Sequence, residues 1–105
     1  LGVFARQAAG PGRWVCAYQG ELLNLTQLLD RYAGGEKPEY VYRLSSTLSV
    51  DARDSTHFSR FFNHDADANL QVSVSKLERR LDIFAKRPVR IGTELTIDYG
   101  LSYWR

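Results

Sequence analysis

Two short apolar runs that alternate residue by residue, Leu70-Gln71-Val72-Ser73-Val74 and Leu81-Asp82-Ile83-Phe84-Ala85, most constrain what this chain can fold into. A period of two puts successive side chains on opposite faces, so both runs read as strands, and Lys76–Arg80 between them reads as the turn of a hairpin. Other apolar stretches are equally short: Leu1–Ala5, Trp14–Tyr18, Tyr40–Leu44, Leu48–Ala52 and Leu95–Tyr99, with Gly10-Pro11-Gly12 as a turn between the first two. Helical spacing occurs once with force, in Leu25, Leu28, Leu29 and Tyr32. Asn24 and Gln27 stand ahead of that helix as a reciprocal capping pair, and Gly34-Gly35 stops it. Ser55–Phe62 is ambiguous between loop and helical turn. Asn63–Asn69, polar and short, reads as a loop. The fold class is therefore mostly β, a β-rich α+β chain with little helix.

A length of 105 residues fits one domain, and 44% apolar with 25% charged residues is an ordinary globular composition. Fourteen basic against 12 acidic residues leave +2, too little by itself to imply a nucleic-acid protein. One cysteine, Cys16, excludes an internal disulfide framework and a zinc site built from several thiolates. No apolar run approaches the ~18 residues of a membrane span and no signal peptide is visible, so the expectation is a soluble domain in a reducing compartment without direct membrane contact. The chain opens inside an apolar stretch, Leu1-Gly2-Val3-Phe4-Ala5, from which upstream residues are expected to be missing.

Single residues decide little about chemistry. His64 lies near Asp65 and Asp67, but His57 stands at no regular spacing from it, so no metal site is expected and a loop histidine bonding backbone groups suffices. Asp98 beside Tyr99 sets a carboxylate next to a phenol, a pair that structural packing alone can explain. Lys76–Arg90 holds six basic and two acidic residues, either a solvated hairpin tip or a patch for DNA or an acidic surface.

Their combination in order says more. Gly2-Val3-Phe4-Ala5, Tyr18-Gln19-Gly20-Glu21-Leu22, Arg60-Phe61-Phe62-Asn63-His64 and Glu94-Leu95-Thr96-Ile97-Asp98-Tyr99-Gly100 together resemble the SET-domain protein-lysine methyltransferases over essentially the whole chain. The closing Tyr99–Trp104 looks like the tail of small and viral members. The resemblance implies one domain over 1–105, several short curved sheets around a knot-like core, and a segment at Glu94–Tyr99 threaded beside Asn63-His64. It implies methyl transfer from S-adenosylmethionine to a lysine amine, with cofactor and peptide on opposite faces of a narrow channel.

Residue by residue, it assigns cofactor contacts to Leu1, Gly2, Tyr40, Arg60, Phe61, Asn63, His64 and Tyr103. Tyr99 takes the catalytic place with Tyr18, and Tyr18, Tyr42 and Ile97 line the lysine channel. At position 97 the family often carries Phe or Tyr, so isoleucine implies room for di- or trimethylation. The implied partner is a protein with a basic, lysine-containing tail, a histone above all, in the nucleus or on chromatin if the source is eukaryotic; a homodimer stays open. The usual Asn-His-Ser-Cys-x-Pro-Asn pattern reads Asn63-His64-Asp65-Ala66-Asp67-Ala68-Asn69, keeping Asn and His but not Ser, Cys and Pro. The competing reading is a degenerate SET domain serving as a binding or scaffold module, and retention of Asn63, His64 and Tyr99 speaks against it.

Overall fold

The protein is described by a computed structural model that covers residues 2–75 and 77–98. Within them run β1 (Val3–Phe4), β2 (Trp14–Ala17), β3 (Glu21–Asn24), α1 (Leu25–Arg31), β4 (Val41–Arg43), β5 (Leu48–Asp51), β6 (Asn63–His64), β7 (Leu70–Ser75), β8 (Arg80–Ala85) and β9 (Glu94–Ile97). A 3-10 turn at Phe58–Phe61 precedes β6 and resolves the ambiguous Ser55–Phe62 stretch. Among the described residues the strands form three small sheets, ordered β1-β9-β6, β2-β8-β7 and β3-β5-β4.

The alternating runs form the expected hairpin, antiparallel from Leu70 opposite Ala85 to Ser75 opposite Arg80. In β8 the alternation is complete: Leu81, Ile83 and Ala85 are buried while the residues between them are not. Burying side chains of the size of Leu81 and Ile83 is worth about 1.5–3 kcal/mol each. They join one core with Ala5, Leu95 and Ile97 at the first sheet, Tyr18 just beyond β2, and Tyr42 and Val50 from the third.

One expectation needs correction. Asn63-His64 is not loop but strand β6, lying parallel to β9 with Asn63 opposite Thr96 and His64 opposite Ile97. Both side chains are exposed, so no apolar pattern marks the segment; its strand character comes wholly from the neighbour it pairs with. Glu21–Asn24 also forms a strand, β3, paired antiparallel with β5, although only Leu23 is buried in it.

Helix α1 starts as the sequence implies, Asn24 and Gln27 each receiving the other's backbone N–H at 2.8 Å. No residue of the helix itself is buried, and Leu25 and Leu29 of its apolar row are exposed. Its anchor is polar. The Tyr32 hydroxyl donates to Asp51 at 2.5 Å, and Arg31 bridges Asp51 at 3.3 Å and Glu21 at 2.7 Å. Asp51 is buried at the end of β5, and its backbone lies against Gly20: a Cβ on Gly20 would sit 2.6 Å from the Asp51 carbonyl oxygen, so only glycine fits that crossing.

Candidate active site

The β6–β9 seam gathers most of the residues singled out from the sequence. β9 is central in its sheet, antiparallel to β1 and parallel to β6, so residues from both ends of the chain and from its middle meet there. The Asp65 N–H donates to the Ile97 carbonyl at 3.1 Å and extends the pairing beyond β6. Asn63 donates from its side-chain amide to Glu94 at 2.6 Å. Gly2 packs against that pair: a Cβ there would lie 2.6 Å from the Glu94 carboxylate and 3.2 Å from the Asn63 amide nitrogen. His64 Nδ1 stands 3.6 Å from an Asp98 carboxylate oxygen, both side chains about half exposed.

Beside the seam opens a cleft of about 410 Å³ lined by Glu39, Tyr40, Arg60, Phe61, Phe62, Asn63 and His64. Five of the expected cofactor residues, Tyr40, Arg60, Phe61, Asn63 and His64, thus share one concavity. The Arg60 guanidinium lies 4.5 Å from the Tyr40 ring centroid and 5.1 Å from that of Phe61, a cation held between two aromatic faces. Its Nη1 donates to the Ser55 carbonyl at 3.1 Å. Its Nε is buried without a hydrogen-bond partner among the described residues.

The expected channel residues lie in the core. Tyr18 and Tyr42 meet edge to face with ring centroids 5.9 Å apart, and both are buried. The Tyr18 hydroxyl donates to the Tyr40 carbonyl at 3.0 Å, and the Tyr42 hydroxyl reaches the Asp98 carbonyl at 3.5 Å. Ile97, fully buried, belongs to the same cluster as both tyrosines. Tyr42 therefore ties the tyrosine pair to Asp98, just past the end of β9. Leu1, Tyr99 and Tyr103 lie outside the described residues.

Other histidines and cations fall elsewhere. His57 bonds Ser59 through Nδ1 at 2.9 Å and stacks on Phe58, and among the described residues no group of three or more His, Cys, Asp or Glu could hold a metal ion. Within Lys76–Arg90, Arg80 pairs with Glu78 and Asp82, and Arg87 with Asp67, so part of the basic stretch is already neutralised.

Asn69 is a residue whose part the sequence did not disclose. Buried at the end of the 63–69 segment, it donates from its side chain to the Glu94 carbonyl at 2.8 Å and accepts from the Thr96 N–H at 3.0 Å. Its own N–H reaches the Thr96 hydroxyl at 3.3 Å. Asn69 thereby fixes β9 against the segment that carries Asn63 and His64. The only sequence signal was its place as the last Asn of the Asn-His motif.

Fold and site together define a β-rich domain in which an aromatic cleft abuts a buried tyrosine pair through one parallel strand seam. Residues 1–100 match the family model described as the SET domain, and the chain belongs to that family. It is 31% identical over 112 residues to a probable histone-lysine N-methyltransferase, set-23, of Caenorhabditis briggsae, covering 96% of this chain and 46% of that protein. It is 34% identical over 109 residues to the N-lysine methyltransferase KMT5A-A of Danio rerio, covering 94% of this chain and 32% of that protein. Among solved structures it superposes on ctPRC2 in an autoinhibited conformation bound to S-adenosylmethionine, with a TM-score of 0.86 and 28% identity over 99% of this chain and 14% of the other. The crystal structure of Chaetomium thermophilum polycomb repressive complex 2 aligns with a TM-score of 0.82 and 28% identity, over 94% of this chain and 13% of that one. The chain spans less than half the length of these curated relatives.

Proposed function

We propose that this domain is an S-adenosylmethionine-dependent protein-lysine N-methyltransferase acting on a basic tail of histone type, on chromatin. The observation that carries the reading is the convergence of Tyr40, Arg60, Phe61, Asn63 and His64 on one cleft, with the buried Tyr18–Tyr42 pair bonded to the Tyr40 carbonyl through the Tyr18 hydroxyl. The names of the relatives, histone-lysine and N-lysine methyltransferases, support the same class.

The residues present suit such a cofactor. A Cβ at Gly2 would crowd the ends of the Glu94 and Asn63 side chains, and Arg60, whose buried Nε has no hydrogen-bond partner among the described residues, lines the cleft. Tyr40 and Phe61 supply aromatic faces there, and Asn63 and His64 supply strand backbone and polar side chains. When bound, the cofactor supplies a methyl group made electrophilic by its sulfonium.

The chain's own residues do the rest. A lysine amine, with an ordinary pKa near ~10.4, must be neutral to attack. The buried, edge-to-face Tyr18–Tyr42 pair makes a water-poor surround that disfavours the ammonium form and lowers that pKa by desolvation. The Tyr18 and Tyr42 hydroxyls and the Asp98 carbonyl supply oxygens for weak C–H···O contacts with the transferring methyl. No strong base is needed. Acceleration comes from positioning and from dipoles fixed before the reaction begins.

The test is the full chain incubated with radiolabelled S-adenosylmethionine and histones, wild type beside Tyr99→Phe. The variant keeps the ring and loses the hydroxyl, so methyl incorporation should fall by about 100-fold, the usual scale for removing one preorganised donor, with cofactor affinity unchanged by calorimetry. Wild-type turnover in Tyr99→Phe overturns the catalytic assignment, and absence of any incorporation by the wild type overturns the activity.

A further inference from the structure

A second groove, of about 540 Å³, shares no residue with the cofactor cleft. Its floor is aliphatic, with Val3, Val15, Leu70 and Val89, and its rim carries Phe4, Trp14 and Phe58, which are 57%, 53% and 44% exposed. Large aromatics left in water around a concave apolar floor mark a docking surface. Trp14 is held in place on that rim, its indole N–H donating to Asp82 at 2.9 Å, while Arg80 answers the Asp82 charge at 3.1 Å. The rim is thus set before anything binds.

Charge narrows the occupant. Arg6 and Arg13 line the groove and no carboxylate does. Neither guanidinium has an ion-pair partner among the described residues, so both are left to meet a ligand's charge. Two strands with open edges also border it: β1 is terminal in its sheet, and so is β2. Ala5 uses both its N–H and its carbonyl toward residues 92–93, so the ladder's alternation turns the backbone polar groups of Phe4 away from β9. An open edge of this kind accepts an extended chain.

We propose that this groove docks an extended acidic peptide segment of a partner protein, with a bulky apolar side chain seated on the aliphatic floor and carboxylates against Arg6 and Arg13. A nucleic acid fits less well. Two cations beside an aliphatic slot give no track for phosphates, and the net charge of the chain is only +2. The proposal stands independently of the methyl-transfer reading, since none of these residues belongs to the cofactor cleft or the tyrosine pair.

The test is fluorescence polarisation with the full chain and a dye-labelled probe peptide, Glu-Asp-Phe-Asp-Leu-Glu. Three comparison probes accompany it: the same peptide with Phe and Leu replaced by Gly, the same peptide with its acids replaced by Lys, and an oligothymidylate. Saturable binding of the first peptide is expected, at least tenfold weaker for both altered peptides and for the oligonucleotide. Arg6→Glu with Arg13→Glu, or the milder Arg6→Gln with Arg13→Gln if the first pair does not fold, should weaken the probe at least tenfold while circular dichroism and cofactor affinity stay unchanged. The proposal is overturned by no saturable binding, by equal binding of the glycine peptide, by tighter binding of oligothymidylate, or by an undiminished affinity in the arginine variants. Sedimentation adds one further arm: a dimer that the arginine variants dissolve, with the probe unable to compete, assigns the groove to a second copy and overturns the peptide.

Discussion

Asn69 shows how much of the proposed site rests on residues outside its cleft. Its side-chain amide satisfies the Glu94 carbonyl and the Thr96 N–H, two backbone groups on the strand that leads to position 99. Asn69→Ala strands both, and each unpaired buried polar group costs roughly 1–3 kcal/mol. The variant should lose stability on that scale in urea titrations and weaken the cofactor by calorimetry, because Asn63 bonds Glu94 across the same seam. Unchanged stability would show that β9 holds its place without Asn69. This role was not legible in the sequence. The amide and its partners are 25 and 27 positions apart, and nothing local announces the register that brings them together. Asn63, His64 and Arg60 could be singled out together because their motif is contiguous, and the structure sets all three on one cleft. Cys16 gives a second check at this scale: burial, and then the Asp82 charge, push its thiol up to about 12. A native thiol titration with Ellman's reagent near neutral pH should therefore be slow and accelerate only on unfolding. Because the folded value is raised, the stability it contributes is present below the ordinary thiol range and is lost as pH rises toward about 12.

At the scale of elements, local signals told most where the element is held by its own residues. The Asn24–Gln27 box sets the start of α1 in the structure as in the sequence, and Asn24→Ala should cost about 1 kcal/mol with a loss of helical ellipticity. A variant as stable as wild type would mean that the Asp51 clamp on Arg31 and Tyr32 holds the helix unaided. The apolar row of α1 led less reliably, since helical spacing promises a covered face and Leu25 and Leu29 remain exposed. β7 and β8 were legible because alternation and a short turn specify each other. β3 and β6 were not, for a physical reason: a strand with one buried residue, or with none, carries no periodicity. Its identity lies in the edge it joins. The consequence for the proposed site is direct, since β6 holds Asn63 and His64 and takes its shape from β9 alone among the described strands.

Across the whole molecule, three sheets too small to be stable separately share one core, and the tyrosines of the proposed channel belong to it. In the proposed enzyme, stability and product choice then depend on the same packed side chains. Ile97 is the sharpest case, fully buried on β9, in one cluster with Tyr18 and Tyr42, and two positions before Tyr99. Isoleucine has no hydroxyl to hold a water beside the lysine nitrogen and fills less space than tyrosine. A methylated amine can then rotate into line for another transfer, so the wild-type domain should carry its substrate to di- or trimethyl-lysine. Ile97→Tyr adds a ring and a hydroxyl to a closed core, which costs about 1–3 kcal/mol in packing, and should shift products toward monomethyl-lysine. Mass spectrometry of a saturating reaction separates the two effects, with urea titration of the same variant beside it. A variant merely loosened makes less of every product in the same proportions, whereas one with a narrowed channel changes the proportions. A wild type that stops at one methyl, or a variant that loses stability without any change in product ratio, would make Ile97 a core residue alone and leave product choice to Tyr18 and Tyr42.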